Sequence, residues 1–268
     1  MSNNNYRISV IIGIYNCAST LYDALDSLLT QSYKSFKIIL CDDGSTDETY
    51  CIAEKYANKY SNIILLKNGK NMGLNYTLNR CLEYADTEYI ARMDGDDISL
   101  PDRFLKEIEF LDNNPDIAIV SCPMIYFDEN GDFKTGKNNT PYPQPKDFIH
   151  GTPFCHAPCM VRREAYIAVN GYTENKRLLR VEDYHLWFKM YAIGYRGHNL
   201  NEPLYKMRDD RNAYKRRTFS SRLNEAYVRF IGFRMLKQPF YFLIFSLRPI
   251  FVGLLPNWLY TYLHKNRN

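Results

Sequence analysis

The chain has 268 residues, 34 Lys plus Arg against 30 Asp plus Glu, and a formal net charge of +4. With 46% apolar, 15% aromatic and 24% charged residues it is not disordered, collagen-like or coiled-coil, and it is long enough to bury a full core. The mean charge conceals a division: residues 1–205 hold 21 basic and 27 acidic side chains, a balance of −6, and residues 206–268 hold 13 and 3, a balance of +10. Seven cysteines at 17, 41, 51, 81, 122, 155 and 159, an odd number, and a start without a basic and then apolar leader point to a reduced, cytoplasmic protein.

Ile8 to Ile14 (ISVIIGI) is apolar without alternation, which suits a central parallel strand covered on both faces. Leu21, Leu25, Leu28 and Leu29 follow at helical spacing in Leu21 to Gln31. Phe36 to Cys41 reads as the second strand, and Ser45-Thr46-Asp47-Glu48 as a capping box opening a helix through about Tyr60. A third strand (Ile63 to Lys67), a helix (Leu74 to Ala85), a fourth strand (Tyr89 to Met93), a helix opened by proline (Pro101 to Asn113) and a fifth strand (Ile117 to Cys122) continue the alternation. Strands separated by helices predict right-handed crossovers and a mostly parallel sheet. After Cys122 the alternation ends: residues 128–158 are rich in Gly, Pro and Asn, and the next helices are Arg163 to Val169 and Asp183 to Ile193.

Open α/β sheets bind ligands beyond the carboxyl ends of their strands. There strand one delivers Tyr15-Asn16, strand two Asp42-Asp43-Gly44-Ser45, and strand four Asp94-Gly95-Asp96-Asp97. Five carboxylates and an aromatic at one edge repel one another unless a cation joins them, so a divalent metal with a phosphorylated ligand fits. Asp94 and Asp96, two apart on an extended backbone, would project to one side and leave coordination positions open for phosphate oxygens. A calcium EF-hand loop is excluded, since its sixth position would be Ser99 and its twelfth Leu105. Asp42 and Asp43 also suit a plain turn before a helix, while the functional reading has one of them accept a base's ring N–H with Tyr15 as a stacking face.

Taken in order, SVIIGIYN, CDDGSTDET, NMGLNYTLNRCLEYA, EYIARMDGDDISLPDRF and RVEDYHLWFKM resemble the successive motifs of the family-2 glycosyltransferases, over about Ile8 to Arg208. The resemblance implies the α/β GT-A fold, a mostly parallel sheet with helices on both faces, and inverting transfer from a nucleotide-sugar, most simply a UDP-sugar. The members most similar to it are bacterial enzymes building capsule, lipopolysaccharide or exopolysaccharide. By the same resemblance Tyr15 contacts the base, Asp43 binds the uracil edge, Asp94 and Asp96 hold Mn²⁺ or Mg²⁺ with Asp94 also touching the nucleotide, and Asp183 is the catalytic base. Two departures stand out: Gly13 occupies the place of a common proline, and Leu78 that of a common arginine, so Arg92 or Arg208 is left to supply phosphate-neutralising charge.

His156 in FCHAPCMVRRE falls where the resemblance places the acceptor side, with a packed histidine as the other reading. Cys155 and Cys159 with His150 and His156 make weak zinc spacing, and Trp187, Phe188 and Tyr191 read as core. The expected layout is a transferase domain over 1–205, with a nucleotide-binding half (1–122) and an acceptor-side half (123–205), followed by a helical tail over 206–268.

In that tail Arg248 splits Pro239 to Leu263 into apolar runs shorter than the ~20 residues of a spanning helix, and Pro249 and Pro256 interrupt it. Aromatics among leucines, flanked by Arg229, Arg234, Lys237, Lys265 and Arg267, suit a segment lying on an anionic membrane surface, which would place the protein peripherally on the inner face of the membrane beside a lipid-linked acceptor. A pair of core helices is the plainer reading. Zinc spacing, heptads and RNA-binding signatures are absent from the tail sequence, so nucleic acid is not an expected partner. The alternative function is a scaffold of the same fold that binds carbohydrate or nucleotide without catalysis, which would be expected to have lost Asp94, Asp96 or Asp183.

Overall fold

The computed structural model describes residues 6–136, 140–209 and 218–254. β1 (Ile8–Ile14), α1 (Leu21–Leu29), β2 (Phe36–Asp42), α2 (Thr49–Lys59), β3 (Ile63–Lys67), α3 (Leu74–Glu83), β4 (Tyr89–Arg92), α4 (Arg103–Asn113) and β6 (Ile119–Ser121) follow the expected alternation, with an unexpected two-residue β5 (Ile98–Ser99) between β4 and α4. Then come the hairpin β7 (Met124–Asp128) and β8 (Gly131–Thr135), β9 (Met160–Arg162), α5 (Arg163–Ala168), α6 (Glu182–Ala192), β10 (Gly197–Asn199) and β11 (Tyr205–Arg208). α7 (Phe219–Met235), α8 (Phe242–Phe245) and α9 (Arg248–Gly253) complete the described chain.

The main sheet has the order β10-β6-β9-β4-β1-β2-β3. All its pairs are parallel except those of β9, which runs antiparallel between β4 and β6. Even-numbered positions of β1 (Ile8, Val10, Ile12, Ile14) pack with Leu21, Leu25 and Leu28 of α1 and Phe104 and Ile108 of α4, whereas Ile11 faces Leu78 and Cys81 of α3 and Trp187 of α6. That two-sided burial is why β1 is apolar at consecutive positions. At Gly13 an added Cβ would lie 3.2 Å from both Leu74 and Thr77, so the residue that stands in place of proline lets α3 lie close against β1.

Two expectations are corrected. The capping box does not form: α2 begins at Thr49, Ser45 Oγ instead accepts from the Asn16 amide at 3.0 Å, and the Asp47 carboxylate accepts from the Thr49 and Ala18 amides. The Gly- and Pro-rich half is also more than added loops, since it inserts β9 into the middle of the sheet and builds a second sheet, β5-β11-β7-β8. Lys206 to Arg208 belong to β11, so the change of charge in the sequence falls within a strand.

α6 precedes β10, which is parallel to β6, so α6 runs back across the sheet and presents its N-terminus at the carboxyl edge. α7 packs on α6 and on the 3-10 turn Lys176–Leu178. The contact is close at Gly232, where a Cβ would come within 2.3 Å of the buried Phe188 ring. Gly232→Ala should therefore lower stability by about 1–3 kcal/mol through overpacking. An unchanged denaturant midpoint would show that α7 is not seated this tightly.

Candidate active site

The metal motif is a turn at Gly95-Asp96, not the extended stretch that the spacing suggested. A Cβ on Gly95 would lie 3.0 Å from Ile14 and 3.1 Å from Cys17, so the turn lies flat on the end of β1. Ligand oxygens of Asp94, Asp96 and Asp97 all lie within 4.8 Å of one another. Burial, then the facing Asp94 charge, pushes the Asp96 carboxyl above its ordinary value, and the same causes with Asp96 added push Asp97 well above it. Among the described residues no other group of three His, Cys, Asp or Glu side chains comes this close, which removes the Cys155/Cys159/His150/His156 zinc reading.

The cluster borders a cleft of about 350 Å³ also lined by Tyr15, Asn16, Cys17 and Arg208. Tyr15 is 47% exposed, leaving a ring face open for stacking. Arg208 donates from Nε to the Asp96 carbonyl at 3.0 Å and reaches Asp23 at 3.3 Å. A larger hollow of about 750 Å³ behind α3 and α5, bordered by Asn79, Tyr166 and Lys189, contains none of these carboxylates and is not where the chemistry gathers.

Asp43 lies outside that lining. Its carboxylate accepts from Asn68 Nδ2 at 2.7 Å, the Met72 amide at 2.8 Å and the Gly73 amide at 2.9 Å, tying the loop after β3 to the end of β2. Gly44 permits this approach: it has φ +74°, and a Cβ there would sit 2.6 Å from the Lys70 carbonyl carbon. Three donors leave one lone pair of the carboxylate for a ligand.

Arg92 is buried at the end of β4 and paired with Asp94. Its positive charge also favours ionisation of Asp96, Glu182 and Asp183. Asp183, in the first turn of α6, accepts a long hydrogen bond from Thr152 Oγ1 at 3.4 Å, and desolvation raises its carboxyl above the ordinary aspartate value. Glu182 is pushed up to about 7, by burial and then by Asp183. Asp94 thus pairs directly with one buried cation, whose charge also favours the ionised form of the acidic pair on α6.

His156 takes the packed reading. It bonds Tyr172 Oη at 2.8 Å and lies edge-on to Trp187, and burial holds it well below the usual histidine range. Trp187, Phe188 and Tyr191 are core, as their spacing suggested. Sequence reasoning missed Asn68 and Thr152, which have no motif of their own and become visible only through the carboxylates they touch.

The profile of glycosyl transferase family 2 matches residues 9–169, more than half of the chain. The chain is a family-2 glycosyltransferase. EpsE of Bacillus subtilis, a relative that carries a glycosyltransferase name, is 41% identical over 266 residues, 99% of this enzyme and 95% of EpsE. The UDP-Gal:alpha-D-GlcNAc-diphosphoundecaprenol beta-1,3-galactosyltransferase of Escherichia coli is 30% identical, covering 99% of this enzyme and 98% of its own length. Among solved structures, Staphylococcus aureus TarS 1-349 in complex with UDP superimposes with a TM-score of 0.69 at 20% identity, covering 94% of this chain and 76% of that one. The mannosyltransferase PcManGT from Pyrobaculum calidifontis, with GDP-Man and Mn²⁺, gives 0.63 at 20% identity, covering 95% and 72%. These likenesses establish the GT-A architecture of the enzyme; the donors and the ion belong to those proteins.

Because Asp43 is spent largely on the protein's own amides, Asp43→Ala should destabilise the enzyme without any ligand by about 1–3 kcal/mol, the cost of leaving buried donors unpaired. A ligand-free denaturation curve matching the parent's would limit Asp43 to nucleotide contact.

Proposed function

We propose that the enzyme transfers a sugar, with inversion and with a divalent metal, from a nucleotide-sugar, most simply a UDP-sugar, to a hydroxyl of a lipid-linked or growing cell-surface polysaccharide. The observation that carries this reading is the three-carboxylate cluster Asp94, Asp96 and Asp97, of which Asp94 and Asp96 line the Tyr15 cleft, beside the buried Arg92, whose charge also favours ionisation of the acidic pair on α6. The name of the Escherichia coli relative specifies a UDP-sugar and a diphosphoundecaprenol acceptor, which supports both choices.

The cluster fits a hard cation: its donors are all carboxylate oxygens, and their crowding already shifts two of them toward the neutral form. Asp94 and Asp96 would hold Mn²⁺ or Mg²⁺, since Asp97 has both oxygens engaged by Tyr205 and Arg208. When bound, the ion supplies positive charge against that developing on the leaving diphosphate. Tyr15 offers the base a stacking face, and the spare lone pair of Asp43 accepts its ring N–H. Arg92 and Arg208 add positive charge beside the diphosphate, replacing the arginine whose usual place Leu78 takes.

Asp183 removes the acceptor's hydroxyl proton as that oxygen attacks the anomeric carbon from the face opposite the leaving group. Its raised pKa makes it a stronger base than an ordinary aspartate. Below that pKa it is protonated and idle, so transfer should rise with pH through a value above the usual aspartate range.

The tail supplies the membrane part of the proposal. Phe240, Tyr241, Ile244, Phe251 and Leu254 are 83%, 58%, 66%, 65% and 66% exposed, with Arg234, Lys237 and Arg248 in the same segment. Among the described residues no helix is long and apolar enough to cross a membrane, so these side chains suit an interface against anionic headgroups. Pro256, Lys265 and Arg267 lie outside the described residues. This reading places the enzyme on the cytoplasmic face, where a lipid-carried acceptor would meet Asp183.

Calorimetry with UDP, with and without Mn²⁺, tests the donor site. Asp96→Ala should abolish metal-dependent binding and turnover, and Asp183→Asn should keep donor binding while losing at least ~100-fold in transfer. Full activity of Asp183→Asn would remove the base assignment, and silence of the parent enzyme toward UDP in both conditions would favour the non-catalytic scaffold. For the tail, replacing Phe240, Ile244 and Phe251 together with Ser should reduce cosedimentation with phosphatidylglycerol vesicles by roughly tenfold or more. Equal cosedimentation of parent and variant would assign the tail to another role.

A further inference from the structure

Behind the metal turn lies a buried polar chain that neither the nucleotide nor the base assignment uses. Glu107 and Arg103 of α4 form an ion pair at 3.2 Å with both side chains fully buried. Arg103 then donates through Nη2 to the Arg92 carbonyl at 2.9 Å and the Cys159 carbonyl at 3.3 Å, clamping the ends of β4 and β9. Its guanidinium lies over the Tyr205 ring, 5.1 Å from the centroid. Tyr205, also fully buried, donates from its hydroxyl to Asp97 Oδ2 at 2.9 Å and accepts from the Asp94 amide at 3.2 Å. Asp97 Oδ1 in turn accepts from the Arg208 amide at 2.8 Å.

We infer that Tyr205, supported by Arg103 and Glu107, is a positioning residue that fixes the Asp94–Asp97 turn so that Asp94 and Asp96 converge on one cation. The inference rests on the metal-dependent reading of the site. A single hydroxyl holds the backbone at the first residue of the turn and the side chain at its last, so the spacing of the Asp94 and Asp96 carboxylates is set from behind. A buried ion pair is costly unless its remaining donors and acceptors are used. Here Arg103 Nη2 anchors the carbonyl that leads into the turn and the guanidinium lies over the ring that spans it, while Nη1 is left without a partner among the described residues. Asp97 accordingly acts as a strut: the residue is almost fully buried, and each of its oxygens already has a donor.

Tyr205→Phe keeps the ring over Arg103 and removes only the hydroxyl. The measurements are the Mn²⁺ concentration giving half-maximal UDP binding by calorimetry, and thermal unfolding in EDTA. The expected result is a rise of about tenfold in that Mn²⁺ concentration, with UDP binding restored at high Mn²⁺ and donor KM affected more than kcat. An unchanged Mn²⁺ requirement, whatever the shift in unfolding temperature, overturns the inference, because a merely structural hydroxyl would lower stability alone. If Tyr205→Phe cannot be purified, Glu107→Gln at the far end of the chain takes its place, with a rise of a few-fold expected and no change again overturning the inference. A parent enzyme showing no metal-dependent UDP binding would instead overturn the proposed function, so the two failures are distinguishable.

Discussion

Burying a guanidinium such as that of Arg92 is strongly unfavourable unless carboxylates surround it, and the architecture of the site follows from meeting that requirement. Asp94 pairs with it directly, and Asp96, Asp97, Glu182 and Asp183 lie within its field. The carboxylates have the converse need, since Asp94, Asp96 and Asp97, with oxygens within 4.8 Å of one another, repel without a neighbouring cation. One side chain at the end of β4 therefore pairs with a turn after a central strand and favours the charged form of acids in the first turn of a helix almost ninety residues later in the chain. Arg92 also bears on His156, whose imidazole it helps to keep neutral beneath the acceptor side.

Around this centre the enzyme is built in shells. Tyr205, Arg103 and Glu107 support the Asp94–Asp97 turn from the core, while Asn68, Met72 and Gly73 support Asp43 from the loop after β3. α7 supports the α6 side: Arg229 donates to the Ile149 carbonyl at 2.9 Å and Asn224 to the Leu179 carbonyl at 3.2 Å, close to the segments that carry Thr152 and Asp183. The described tail thus has two characters. α7 buries Val228, Gly232 and Phe233 against the body, as core helices do, whereas α8 and α9 leave aromatic and aliphatic side chains in the open. The acidic body and the basic tail thus differ in the sign of their charge as well as in how far their apolar side chains are covered.

Much of this was legible in the chain. The consecutive apolar residues of β1 suited a strand buried on both faces, and the alternation up to Ser121 gave the order of the helices and of every strand but β5, with ends within a few residues. The proposed roles of Asp94, Asp96 and Asp183 rest on motifs that resemble the family's. β9 was not legible, since Met160–Arg162 is three residues long and its antiparallel place between β4 and β6 is set by pairing with strands far away in sequence. The capping box was misread for a similar reason: Ser45 and Asp47 suit a helix N-terminus, but the loop after β1 offers competing amides at Asn16 and Ala18.

By itself the sequence determined the parallel α/β frame, the edge at which the chemistry gathers and the charge division between body and tail, because periodicity, strand-end residues and composition are local properties. Only the tertiary structure decided which carboxylates line the cleft and which are struts. Asp43 and Asp97 look like Asp94 and Asp96 in the sequence, yet three protein donors hold the first and two hold the second. Whether an acid binds a ligand or the protein depends on which amides and hydroxyls the fold brings within about 3 Å of its oxygens, and those partners come from elements 25 to more than 100 residues away.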